Sequence, residues 1–408
     1  MMTTNTDLKP QAEATDCPRC HATKAFRKNG VLGQYWTKRC INCKFKKNFQ
    51  LPAITKQIVY LDQFVISNMV KAKDPFWSNL ETTLGNLVAL QLIVCPYSDI
   101  HMDESVLKHD LREPLRQMYR SFGGNDSFRF PYFKIERSQL LRSIKRFLGI
   151  DESNSLPVWR EAFDRDPHHW TADSVFADFP ANETWITDLR NRKEAVHSDM
   201  HLLCDYWKAN PRSFDEDAIE EIKGYARHSL MQYRDLADGS FNPSIPPGLQ
   251  PRVRLIHALA VEVHKERPDE ADPVSVVEAF FDSPHAIQTP FLDISSHLWA
   301  TIAQRVRSKK GSRKPKLGDC FDVAAISSYA PYCDAMFVDR EVRCMASEGN
   351  VDVPGKYNVR LFSVKTQSEF LKYLSDILRN MSDAHLEGLS LVHPHLAPVL
   401  PYLHRMAK

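Results

Sequence analysis

Residues 58–69 read IVYLDQFVISNM. The β-branched and aromatic run Ile58-Val59-Tyr60-Leu61 reads as a buried strand that stops at Asp62. Helical spacing follows over residues 67–71 and again over 80–90, then comes Leu92-Ile93-Val94-Cys95 as a second buried strand and a largely helical stretch at 102–119. Strand alternating with helix predicts a parallel sheet.

Further along, the texture changes twice. Residues 125–290 carry amphipathic helical patterns at 139–148, 185–207, 218–236 and 253–263, separated by Pro-rich breaks such as Ile245-Pro246-Pro247-Gly248, and contain no comparable strand run. Strand texture then returns: a helix over 319–329, the strand Ala335-Met336-Phe337-Val338 ending at Asp339, another strand over 359–364, and a helix over 368–378. The fold class expected is therefore α/β, one parallel sheet flanked by helices and interrupted by a large helical insertion. The expected units are a disordered tail (1–15), a small Cys-rich module (16–50), the first part of the α/β domain (57–124), the insertion (125–290) and the second part with C-terminal helices (291–408).

The 408 residues carry a formal net charge of only +2, with 43% hydrophobic and 25% charged side chains, so bulk electrostatics single out no partner class. No apolar run approaches membrane-spanning length, and the start MMTTNTDLKPQAEATD lacks the apolar core of a secretory signal. A cytoplasmic location, away from membranes, is the expectation. Nine cysteines, an odd number, argue against a disulfide framework. The motifs GxGxxG and GxxxxGK[ST] are both missing, which argues against an ATPase or a dinucleotide enzyme.

Four cysteines fall in two knuckles, Cys17-Pro-Arg-Cys20 and Cys40-Ile-Asn-Cys43. Each CxxC turn aims two thiolates at one point, and two knuckles complete a tetrahedral shell for a structural Zn²⁺. Around them lie Lys28, Trp36, Lys38, Arg39, Lys44 and Lys46, basic side chains interleaved with an aromatic, a pattern suited to phosphate contact and base stacking.

The carboxylates form the second signal. Asp62 ends the first strand, Glu104 follows the second strand at a helix start, Asp319 and Asp322 open the late helix, and Asp339 ends the strand after it. In a parallel sheet, the carboxyl ends of the strands converge on one edge, where ligands bind. Crowded carboxylates require a countercharge, and Mg²⁺ or Mn²⁺ supplies it through oxygen ligands while activating water for attack at phosphorus. The same residue types also cap helix N-termini. The basic stretch before Asp319, with Lys309, Lys310 and Arg313, could draw a phosphate backbone towards these acids.

IVYLDQFVISNM (58–69) resembles the opening strand and helix of PIN-domain nucleases, and DCFDVAAISSYAPYCDAMFVD (319–339) resembles that family's later acidic motif. The resemblance covers about 57–120 and 315–380. It implies that Asp62, Glu104, Asp322 and Asp339 hold the catalytic metal, with Asp319 as a further ligand, and that the reaction is phosphodiester hydrolysis, on RNA rather than DNA. Such an enzyme fits RNA processing, a toxin or a defence effector. Asp319 and Asp334 compete with Asp322 and Asp339 for assignment, and Gln63-Phe64 departs from the small or apolar residue and Ser or Thr usual after the first Asp. The rival reading is a non-catalytic nucleic-acid or protein-binding adaptor on a degenerate PIN scaffold. The insertion would shape access or recruit a protein partner.

Overall fold

In the computed structural model, the strand β4 (Gln57–Leu61) sends Ile58 and Tyr60 to one side and Val59 and Leu61 to the other, so it is apolar on both faces. The residues described are 14–72, 74–124, 126–150, 157–171, 183–236, 251–308 and 316–396. Ahead of β4 lie three antiparallel strands, β1 (Phe26–Leu32), β2 (Tyr35–Cys40) and β3 (Lys46–Gln50). After it come β5 (Ile93–Val94), β6 (Ala335–Phe337) and β7 (Arg360–Phe362), which join β4 in one sheet of order β5-β4-β6-β7, every pair parallel. The chain is thus α/β with a parallel sheet, as its texture predicts.

Helices cover both faces, as parallel sheets require. On one side Val59, Leu61 and Phe337 meet Val65 and Met69 from helix Gln63–Lys71 and Phe370 and Leu374 from helix Gln367–Arg379. On the other, Tyr60 and Met336 meet Leu298 and Ile302 from helix Pro290–Arg307 and Ile326 and Tyr329 from helix Leu317–Tyr329. β6 enters the sheet centre beside β4 although Ile58 and Asp334, hydrogen-bonded where the two strands begin, stand 276 positions apart.

Between these parts, the described residues of 126–290 hold helices and no strand. Their apolar faces make a separate core in which Leu140 and Ile144 meet Leu259, Val263, Val277 and Phe280. The largely helical stretch expected at 102–119 is two helices, Asp99–Val106 and Arg112–Gly123, joined by a 3-10 turn at His109–Leu111. Of the expected tail, residues 1–13 lie outside the described residues, while Thr15 exchanges both backbone hydrogen bonds with Phe26.

The three-stranded sheet is docked, not tethered. Trp36 is fully buried, stacked on Phe49 at 4.7 Å between ring centroids, in the core it shares with Leu51, Ile54 and Trp170. Lys28 Nζ donates to the carbonyls of Leu391 (2.8 Å) and Val392 (2.6 Å) at the end of helix Asp383–Val392, where a helix's partial negative charge favours a cation. No described helix is long and apolar enough to cross a membrane.

Candidate metal centres

Cys17, Cys20, Cys40 and Cys43 converge. Their sulfurs all lie within 4.8 Å of one another, with Cys17 Sγ 3.5 Å from Cys43 Sγ and Cys20 Sγ 3.7 Å from Cys40 Sγ. Zn–S bonds of about 2.3 Å in a tetrahedron put sulfurs about 3.8 Å apart, so the donor set and spacing fit a structural zinc. All four are free thiols. Backbone N–H groups of Arg19 and Cys20 point at Cys17 Sγ, and that of Cys43 at Cys40 Sγ, as each knuckle folds round its sulfur. Burial works against ionising Cys40, but the N–H groups of Cys43 and Asn42 together with the Cys17 and Cys20 side chains outweigh it and pull that thiol down to about 6. Left-handed backbone at His21 and Lys44 (φ 58° and 62°) closes the two turns.

The basic residues of this module divide by burial. Along β2, Trp36, Lys38 and Cys40 share the buried side. Lys38, 2% exposed, lies 5.9 Å from the Phe26 ring centroid and 5.7 Å from that of Trp36. Trp36, Lys38 and Lys28 are therefore fold residues, not a stacking and phosphate surface: the ring has no open face and both amines are engaged within the chain. Arg39 is half-buried, whereas Lys44, Lys46 and Lys47 are exposed, as is Tyr35 at 48%. Lys309, Lys310 and Arg313 lie outside the described residues.

The acids come together at the carboxyl edge of the parallel sheet. Asp62 follows β4 and caps helix Gln63–Lys71, its Oδ1 accepting from Phe64 N at 3.0 Å. Asp339 follows β6 by two residues and caps helix Arg340–Ala346 in the same way, accepting from Glu341 N at 2.7 Å. Glu104 projects from helix Asp99–Val106 and Asp322 from helix Leu317–Tyr329. Burial, then Glu104 and more weakly Asp339, push the Asp62 carboxyl up to about 7 against the pull of Phe64 N–H and Lys108. Burial, then Asp62, Glu104, Asp339 and Asp319, push Asp322 up to about 9. The four acids thus share one electrostatic neighbourhood.

They are not drawn tightly together. Among the described residues, the four cysteines are the one group of three or more Cys, His, Asp or Glu side chains whose ligand atoms all lie within 4.8 Å of one another. The oxygen donors suit Mg²⁺ or Mn²⁺ by type, while their spacing is looser than a shared coordination shell. Asp319 is 3% exposed and its Oδ2 accepts from Lys316 N at 2.8 Å, a capping bond. Asp334 leaves the competition: it precedes β6 at the opposite edge, where its Oδ2 accepts from Ile58 N at 2.7 Å.

Three residues outside the predicted set shape this edge. Lys108 Nζ donates to Gln63 Oε1 (2.6 Å) and Ser67 Oγ (3.3 Å) and is the cation that acts on Asp62. Gln63, the unexpected residue after the first Asp, is what holds that amine. His101, 2% exposed, accepts from Ser98 N at Nδ1, so Nε2–H donates to Leu61 O at 2.8 Å, fixing the carbonyl just before Asp62. Burial holds the ring neutral, its pKa lowered to about 4. No local spacing marks Lys108 or His101, because each acts through a fold contact 40 or more positions away.

No family model, curated protein or solved structure matches the chain.

Proposed function

We propose that this protein is a divalent-metal-dependent nuclease of PIN-like type, hydrolysing phosphodiester bonds with RNA as the favoured substrate. The observation that carries the reading is the mutual electrostatic pressure of Asp62, Glu104, Asp322 and Asp339, four acids from distant stretches brought to one sheet edge with Lys108 beside them. Carboxylates held this way disfavour their own ionisation unless a cation joins them. A bound Mg²⁺ or Mn²⁺ would supply Lewis-acid activation of water and offset charge at phosphorus. Asp62 and Asp339, fixed by their capping bonds, would hold the metal together with Asp322 and Glu104; His101 and Gln63 hold the backbone and amine around them. The four-cysteine module would carry zinc and bring Lys44, Lys46 and Tyr35 to the nucleic-acid strand.

The adaptor reading is favoured by one observation: no three of these carboxylates bring oxygens within 4.8 Å of one another. The two separate in one assay. Labelled single-stranded RNA and DNA are incubated with the protein with and without Mn²⁺, beside an Asp62→Asn, Asp322→Asn double variant. Cleavage that needs both the metal and the carboxylates supports the enzyme; binding without cleavage in every condition leaves the adaptor.

A further inference from the structure

Behind the helix that carries Asp319 and Asp322 lies a cavity of about 430 Å³, within the size range of small-ligand sites. Cys320, Val323 and Ala324 of that helix form one wall, so cavity and carboxylates occupy adjoining faces of the same element. The insertion forms the opposite wall through Glu221 and Tyr225 of helix Phe214–Leu236 and Arg252 of helix Pro251–Glu266. Tyr132 and Trp299 complete an aromatic lining.

Three features of this lining point to a ligand. The Arg252 guanidinium lies 5.0 Å from the Tyr225 ring centroid, making a flat cationic and aromatic surface. The Tyr225 hydroxyl is shielded from solvent and has no hydrogen-bond partner among the described residues, a cost that a ligand in the cavity removes once the ring turns its hydroxyl towards it. Glu221 supplies a carboxyl at the same cavity, and Trp207 donates to it. Rings that stack, a guanidinium, an unsatisfied phenol and a carboxyl are together the complement of a planar heterocycle with polar edges.

We propose that this cavity is a base-binding pocket, taking one unstacked nucleobase of the strand whose backbone reaches the carboxylates. The link to the carboxylates rests on the nuclease reading; the affinity for a base does not. Tyr225 and Trp299 would stack or bracket the ring, while the Tyr225 hydroxyl and Glu221 would bond its edge. The insertion then has a function in substrate choice, since it contributes a whole wall of the pocket.

The test uses the zinc-loaded full chain without added Mg²⁺ or Mn²⁺, titrated with AMP, GMP, CMP and UMP. Binding is followed by tryptophan fluorescence, with Trp299 in the wall as reporter, and by calorimetry. Saturable binding of at least one monophosphate is expected. Tyr225→Phe, which removes only the orphaned hydroxyl, should weaken it by about two- to tenfold. Trp299→Leu should weaken it about tenfold or more through lost stacking. Where Trp299→Leu fails to fold, Tyr225→Phe decides alone. No binding of any of the four at millimolar concentration, or affinity unchanged in Tyr225→Phe, overturns the proposal. Binding in a protein that never cleaves leaves the pocket standing and sinks the nuclease; cleavage without monophosphate binding does the reverse.

Discussion

Asp62 and Asp339 follow neighbouring parallel strands and lie one residue apart in register. Asp62 N donates to Phe337 O at 2.9 Å, and the two aspartates have nearly identical backbone angles, φ −55°, ψ 151° and φ −55°, ψ 147°. Each caps the helix that follows, so a single carboxylate serves both the fold and the electronegative edge.

Those two duties come apart on substitution. Asn caps a helix as well as Asp does, but carries no charge. Asp62 has a folded-state value near 7, above its ordinary 3.8, so its contribution to stability is present below about pH 4 and lost as pH rises through 7. Asp62→Asn should therefore raise metal-free stability at neutral pH, by about 1–2 kcal/mol, an effect that fades in acid. Asp62→Ala should give back about 1 kcal/mol of this through the lost cap. Urea melts at pH 5 and pH 7.5 check both. Cleavage should fall in either variant by more than the 10–100-fold typical of losing an outer-shell partner of a metal.

Zinc removal should undo the N-terminal module and its docking together. Cys40→Ser, or chelation, takes away the staple of a unit whose own core is only Cys17, Ala25, Phe26 and Cys40 with flanking partners. The expected outcome is a zinc content near zero, a red shift of tryptophan emission as Trp36 meets water, and a lower Tm. Unchanged emission on zinc loss would mean the sheet keeps its place without the metal.

Exposure predicts which lysines touch a phosphate backbone. Lys44→Glu with Lys46→Glu should weaken single-stranded RNA binding and flatten its salt dependence by about one to two in slope. Lys38→Met, at a buried position, should leave that slope unaltered. Filter binding from 50 to 300 mM salt, values chosen as roughly those over which counterion release is measurable, reads both. A change of slope in Lys38→Met alone would refute the inward assignment.

Lys56 offers a pH test away from the acids. It is 4% exposed, and burial lowers its amine to about 8 although Asp126 pulls upward. Because the unfolded chain binds the proton more tightly, stability rises with pH between about 8 and 10.5, and the full penalty is present below 8. Lys56→Met should stabilise the protein by about 1–3 kcal/mol at pH 7, and the gain should vanish above pH 10.5. Thermal melts at pH 7 and pH 10.5 decide it.

Much of the frame was legible in the chain. Continuous apolar runs at 58–61, 92–95 and 335–338 marked strands buried on both faces, since a strand covered by helices on both sides has no polar side to show. The paired CxxC turns marked their own four-cysteine cluster, able to hold a metal, because two thiols per tight turn is a local geometry. What the chain could not show was orientation and distance. Lys38 and Trp36 looked like a binding surface until the pairing of β1, β2 and β3 turned them inward; Asp334 and Asp339 looked equivalent until β6 set them at opposite edges. Lys108, His101 and the Tyr225–Arg252 pocket had no local signal at all, because each exists only where segments tens to hundreds of positions apart meet. Local steric and apolar patterning is written residue by residue, whereas the neighbours that shift a pKa or line a cavity are chosen by the packing of the whole chain.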